Sequence, residues 1–341
     1  MILLVGCYYW WAVRAAGDRI EWDHDLRGYY NYLGQAFANG QLHLPLEPSR
    51  ELLALRNPWD PKENDPYRMH DMVLFEGKYY LYHGAGPAVL LFAPWRLITG
   101  HDLPENVAVA VFCFAGFLFY CGALLRVFAQ RDCAPGPGWI ALSLLTLGVG
   151  QGVPYLCSRV GVYEVAIAGG FCFIGAGIYF LTRALTTSRR TSSLTASGLM
   201  FGIALACRPH LGLAGAICFA ALVFYIVRSR GSGESERWKG ATAYLLAFAA
   251  CGLMVAVYNY ARFGDPFEFG LRYLLAGDEA QQRVRLSAAS LIPGLYYMLI
   301  CPPDLSPVFP WVRLALRLPF QASHYPLPQG YFLEPVAGAL F

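Results

Sequence analysis

Between Val107 and Ala261 one apolar segment follows another, and ahead of them lies a long polar stretch from Arg14 to Glu105. About 20 mostly apolar residues make a helix long enough to cross the hydrocarbon core of a bilayer. The apolar part can therefore span several times. The polar stretch cannot: it carries 13 Asp plus Glu against 9 Lys plus Arg, many Tyr and Trp, and no cysteine. Such a chain places a large carboxylate-bearing loop on one side of a membrane, where chemistry can be done at the membrane face.

Charged residues make up 14% of the 341, well below the roughly 25% of a soluble domain, and 56% are hydrophobic. Lipid is the expected solvent. A net charge of +3, with no Lys/Arg-rich block interleaved with aromatics, excludes nucleic acid as a partner. The ten cysteines lie in or beside apolar segments and form no CxxC pair. They read as small buried hydrophobes rather than a zinc site or a disulfide frame.

These patterns give an all-α polytopic membrane protein, a transmembrane helix bundle with a long first extracytoplasmic loop. Residues 1–13 are the first transmembrane helix, a short one: a run of that length rises only about 18 Å. It reads as a truncated helix rather than a signal-like region. Residues 14–105 form the loop, with interfacial helices and a possible hairpin. Residues 106–261 hold about six spans, at 107–128, 139–156, 162–185, 194–207, 211–227 and 241–260. Residues 262–330 are a Pro-rich extracytoplasmic segment, and 331–341 begin a further helix, so a C-terminally truncated chain is expected.

Lys and Arg are retained on the cytoplasmic side of short connections. Arg126 with Arg131, then Arg183, Arg189 and Arg190, then Arg228, Arg230, Arg237 and Lys239 fall in alternate loops. Parity puts the 14–105 loop, the turns at Arg159 and Arg208, and everything from 262 to 329 outside. The count closes if 88–99 does not cross; Pro87, Pro94, Trp95 and Arg96 mark that stretch as interfacial or re-entrant.

Within the loop, 26–38 reads as a helix, since Tyr29, Leu33 and Phe37 recur at helical spacing and Asn39-Gly40 is a stop signal. Asp23 and Asp25 sit at its start. They read either as helix caps or as a catalytic base near the membrane surface, and both can hold at once. The stretch 68–87 reads as a strand pair around Glu76-Gly77. Asp71 and His83 stand out there, against the plain readings of a loop carboxylate and a satisfied interfacial histidine. The "GAGP" that follows lacks the Lys-Ser/Thr ending of a phosphate loop.

Few ionisable groups interrupt the apolar part: Arg159 and Glu164, and Arg208 with His210 in "ACRPHLG". Charge at membrane depth is costly and usually lines a cavity. By parity all four lie at the external end with the loop carboxylates, a set suited to an anionic substrate gripped by guanidinium. The plainer readings are a snorkelling Arg208 and a structural Arg159–Glu164 pair. The segment "YNYARFGDPFEFGLRY" should cap the same site. Gly198 and Gly202 form a GxxxG that lets helix backbones approach closely.

An acidic loop start before the "YYNYLGQAFANGQL" helix, followed by many spans, resembles the C-type (GT-C) integral-membrane glycosyltransferases, which use polyprenyl-phosphate sugars. More narrowly, "DPYRMHDMVLFEGKYYLYHGAGPAVLLFAPWRLITG", "CRPH" and "YARFGDPFEFG" resemble a bacterial group of multi-spanning proteins assigned to that superfamily. Where the superfamily commonly has Asp-Glu, this chain has Asp23-His24-Asp25. Asp25, four residues before Tyr29, fits the base best, with Asp23 second.

The resemblance implies an inner-membrane, multi-pass enzyme with its active face outside. It would transfer a sugar from a polyprenyl-phosphate donor to an envelope glycan, lipid or protein, with inversion. Arg208 and Arg159 would bind the leaving phosphate, with Glu164, Asp71, His83 and His210 as further substrate-binding candidates. No cofactor is implied; His70-Asp71 and His24-Asp25 are adjacent rather than helically spaced, a weak divalent-metal pattern. A transporter or lipid-handling protein without chemistry, and an envelope-polymer ligase or polymerase, stay open as alternatives.

Overall fold

Helical periodicity and charge placement agree along the chain. Among the described residues, the three longest helices each start on an acidic residue or carry one in the first turn and carry an arginine in the last turn, as the helix dipole favours. The structure, a computed structural model, describes residues 1–15, 20, 22, 26–130, 135–159, 161–187, 190–229, 233–277, 287–313 and 327. In chain order the helices used below are α1 (Ile2–Ala15), α2 (Tyr29–Ala38), α3 (Arg50–Ala54), α4 (Pro61–Asn64), α5 (Ala93–Thr99) and α6 (Glu105–Ala129). They continue with α7 (Pro137–Val149), α8 (Val153–Cys157), α9 (Val162–Thr186), α10 (Arg190–Cys207), α11 (Gly212–Arg228) and α12 (Glu234–Phe263).

Two units divide the chain: Met1–Pro45 with His83–Glu268, and Leu46–Tyr82 with Phe269–Phe341. In the first, α6 packs on α9, α9 on α10, and α10 on α12. Among the described residues, four helical segments are long and apolar enough to cross a membrane: Glu105–Ala129, Val162–Thr186, Pro209–Arg228 and Glu234–Phe263. At 1.5 Å per residue, 25 residues reach about 37 Å, more than the hydrocarbon core requires. Large apolar side chains point outward from α11 and α12, among them Leu213, Phe224, Leu246, Leu253 and Met254, each about two-thirds exposed (62–66%). A surface of that kind is matched to lipid rather than water.

Close backbone approach holds the bundle together. A Cβ on Gly198 would strike the Tyr244 carbonyl, and one on Gly202 would lie 2.5 Å from the Cys251 Cβ, so the GxxxG expected to seat a helix seats α10 on α12. Buried hydroxyls join neighbours: Ser197 donates to the Gly177 carbonyl at 2.8 Å, and Tyr244 to that of Gly215 at 2.8 Å. Ala184, Leu194, Phe201, Leu222, Ile226, Ala241 and Tyr244 form the core between them.

Some segments differ from the sequence expectation. The run 139–156 is two helices, α7 and α8, because Gly150 and Gly152 carry the intervening turn and Pro154 opens α8. Residues 88–99 form one continuous 12-residue helix, a π-helical Ala88–Phe92 leading into α5. α1, at 14 residues, is short, as expected. The expected helix at 26–38 starts at Tyr29 and stops at Asn39, with Gly40 in the left-handed region.

The second unit contains the expected hairpin. β1 (Val73–Phe75) pairs antiparallel with β2 (Lys78–Tyr80), with Val73 opposite Tyr80. Glu76 and Gly77 both have positive φ, 49° and 70°, the two-residue turn whose twist suits a hairpin. In the segment read only as Pro-rich, Ala288–Ile300 is helical and Asp304–Leu305 pairs with Val312–Arg313.

Candidate functional site

Proline fixes the position of the central arginine. With no N–H to continue the ladder, Pro209 ends α10 at Cys207, and the residue before it is forced into an extended conformation. Arg208 accordingly has φ −146° and ψ 120° and leads into a 3₁₀ turn, Pro209–Leu211. Its guanidinium carbon lies 6.0 Å from the centre of the Tyr163 ring. Its Nε is buried without a hydrogen-bond acceptor, and no carboxylate among the described residues pairs with it. His210, in the same turn, is exposed.

The "HGAGP" loop is pressed against the end of α10. A Cβ on Gly84 would collide with the carbonyl oxygens of Ala206 and Cys207, and one on Gly86 would sit 2.9 Å from the Cys207 Sγ. These two glycines are thus packing glycines. They bring His83 against Tyr163, edge to face at 4.7 Å between ring centres. Burial, and secondarily the Arg208 charge, push the His83 imidazole down to about 3, so it is neutral at physiological pH.

Tyr163 thus touches both His83 and Arg208 from the first turn of α9. Its neighbour Glu164 is buried and pairs with Arg159, Nε to Oε1 at 3.3 Å, while the Arg159 side chain is 61% exposed. Of the two arginines expected to grip an anion, Arg159 is therefore already neutralised, and Arg208 has no carboxylate partner among the described residues. Arg159 and Glu164 thus form the ion pair that the sequence offered as one reading of them.

Two carboxylates that sequence reasoning passed over organise the start of α2. Its N-cap is Gly28, which offers no side chain; the Tyr30 N–H instead donates to Glu105 Oε1 at 2.9 Å, from the first residue of α6. Asp102, with a 1% exposed side chain, accepts from the Leu26 N–H at 2.9 Å, Gln35 Nε2 at 2.8 Å and Arg96 Nη1 at 2.6 Å. Tyr30 completes the link. Its hydroxyl donates to the Gly84 carbonyl at 3.0 Å and its ring stacks on Phe92. Its phenol is held well above the ordinary range, first by burial.

A second guanidinium, also unforeseen, sits at the end of α12. Arg262 is 6% exposed, donates to Asn259 Oδ1 at 2.7 Å and stacks on Tyr258 at 3.9 Å. Tyr258 in turn meets Phe37 of α2, edge to face at 5.9 Å, so the segment expected to cap the site does reach α2. Asp71 belongs to the second unit, where it is buried, has φ 58° and lies 3.6 Å from His70 Nε2. Asp23 and Asp25 fall outside the described residues; the nearest described residue following them is Leu26, the one anchored by Asp102. Among the described residues no group of three or more His, Cys, Asp or Glu is arranged to hold a metal.

Arg208, Tyr163, His83 and Tyr30, backed by Glu105 and Glu164, therefore share one end of the helical unit. A guanidinium with no carboxylate partner among the described residues, beside an aromatic face and a neutral imidazole, is chemically an anion-binding arrangement. No protein-family model, curated protein or solved structure matches the chain. What the fold defines is a mostly helical protein in which four helices among the described residues are able, by length and composition, to cross a membrane.

Proposed function

We propose that the chain is a membrane glycosyltransferase of GT-C type, using a polyprenyl-phosphate sugar and an extracytoplasmic acceptor in the cell envelope. The observation that carries this reading is Arg208: half-buried, with an Nε that has no acceptor and with no described carboxylate partner. Leaving a guanidinium so placed costs stability unless an anion occupies it for part of the working cycle.

In this reading the acceptor hydroxyl attacks the anomeric carbon, and the bond from that carbon to the phosphate oxygen breaks. The proton passes to the Asp25 carboxylate, with Asp23 as the second choice. The electron pair leaves with the lipid phosphate, whose charge Arg208 stabilises. Asp102 and Glu105 act as positioning residues, because they fix Leu26 and Tyr30 directly after the acidic segment. His83 stays neutral and adds no charge of its own to the site.

The test uses membranes containing the protein and a panel of labelled polyprenyl-phosphate sugars. Transfer of label from at least one donor, abolished by Asp25→Asn and lowered at least tenfold by Arg208→Gln, supports the reading. Transfer by neither the protein nor any variant, across the whole panel, removes it.

A further inference from the structure

A second polar pocket lies at the opposite end of the same helices, where α9 and α11 finish and α10 and α12 begin. Arg208 and Arg190 stand at the two ends of α10, roughly 27 Å apart at 1.5 Å per residue. The pocket holds about 510 Å³ and is lined by Thr187, Arg190, Thr191, Tyr225, Glu236 and Arg237 among others. The one acid is engaged elsewhere, since Lys239 Nζ donates to Glu236 Oε1 at 2.6 Å. Arg190 reaches only the Ala184 carbonyl, at 3.5 Å, and no described carboxylate pairs with it. Arg237 is fixed by donation from Nη1 to the Ser229 carbonyl at 2.6 Å.

One side of this pocket is apolar. Arg190 and Arg237 also line an adjoining crevice with Leu185, Leu194, Leu222 and Ile226. Among these lining residues Leu185 is 56% exposed and Tyr225 46%. Two guanidinium groups and the Thr191 hydroxyl suit a phosphate, and their setting at helix ends, beside exposed apolar and aromatic surface, suits a phosphate carried by a lipid.

We infer that this pocket binds the phosphate headgroup of an anionic phospholipid. The inference does not depend on the reading of the Arg208 site. The charges and the hydroxyl alone would also accept inorganic phosphate; the apolar rim selects the lipid.

The experiment places the full chain in phosphatidylcholine nanodiscs with and without phosphatidylglycerol, and titrates inorganic phosphate in parallel. Thermal midpoints are read, and native mass spectrometry counts retained phosphatidylglycerol. Phosphatidylglycerol is expected to raise the midpoint by several degrees and to be retained, and inorganic phosphate to do neither. The double variant Arg190→Gln, Arg237→Gln should lose the shift and retain at least tenfold less lipid; Arg190→Lys with Arg237→Lys should keep part of both. An equal shift from inorganic phosphate overturns the lipid assignment. Undiminished retention in the Gln variant overturns the site. If the Gln variant does not fold, the wild-type comparison decides: no gain over phosphatidylcholine alone rejects the proposal.

Discussion

Replacing Asp102 with Ala removes one carboxylate and three bonds at once. The group is nearly inaccessible, and its partners are a backbone N–H, an amide and a guanidinium at 2.6–2.9 Å. Hydrogen bonds to a charged group are worth about 1.5–3 kcal/mol each, and deleting one member of a buried ion pair costs about 3–5 kcal/mol. The Arg96 side chain is 26% exposed, so its charge is partly hydrated, and the bonds are not additive. The expected loss is about 2–4 kcal/mol for Asp102→Ala and about 1–2 kcal/mol for Asp102→Asn, which keeps the shape. Denaturation in detergent followed by tryptophan fluorescence reads the global term. Amide exchange reads the local one: the Leu26 N–H should exchange faster in both variants. A double cycle with Arg96→Gln should show coupling above about 1 kcal/mol. A loss for Asp102→Ala under about 0.5 kcal/mol, or strict additivity with Arg96→Gln, would refute the anchor.

Other expectations concern single groups. His83 is neutral when folded, with its imidazole down to about 3, whereas the unfolded chain titrates near 6.5; between those values the unfolded state binds the extra proton, so stability falls as pH is lowered. At pH 5 the loss is about 2 kcal/mol, and a His83→Gln variant with the same pH slope in its thermal midpoint would contradict this. Gly198→Ala forces a Cβ into the Tyr244 backbone and should cost about 1–3 kcal/mol, whereas Gly252→Ala, with open space around it, should be near neutral; equal midpoints would rule out the α10–α12 seam. Glu164→Gln breaks an ion pair whose arginine is mostly exposed, so melting should move by less than about 1 kcal/mol; a larger loss would mean that Glu164 supports more than Arg159.

Local signals were legible in the sequence and long-range pairings were not. Helical spacing and Asn39-Gly40 placed α2 to within three residues, and Glu76-Gly77 placed the hairpin turn. Pro209 flagged the break that presents Arg208. The run 139–156 misled because its hydropathy is continuous while Gly150 and Gly152 interrupt the backbone. Glu105 and Asp102 were missed because their partners lie 75 and 76 residues away, at Tyr30 and Leu26, and no spacing rule links such positions. Gly28 was the available hint: a helix start without a capping side chain needs an acceptor from elsewhere. Arg159 and Arg208 looked alike in the sequence, and the carboxylate at 3.3 Å from Arg159 is what the structure adds to tell them apart.

The central claim is that acidic loop residues and Arg208 face one compartment. Topology reporters inserted beside Asp25 and directly after Arg208 measure this without reference to activity. Both reporters are expected on the extracytoplasmic side, with one inserted after Thr187 on the cytoplasmic side. Asp25 and Arg208 reporting from opposite sides would leave no common pocket and end the transferase reading.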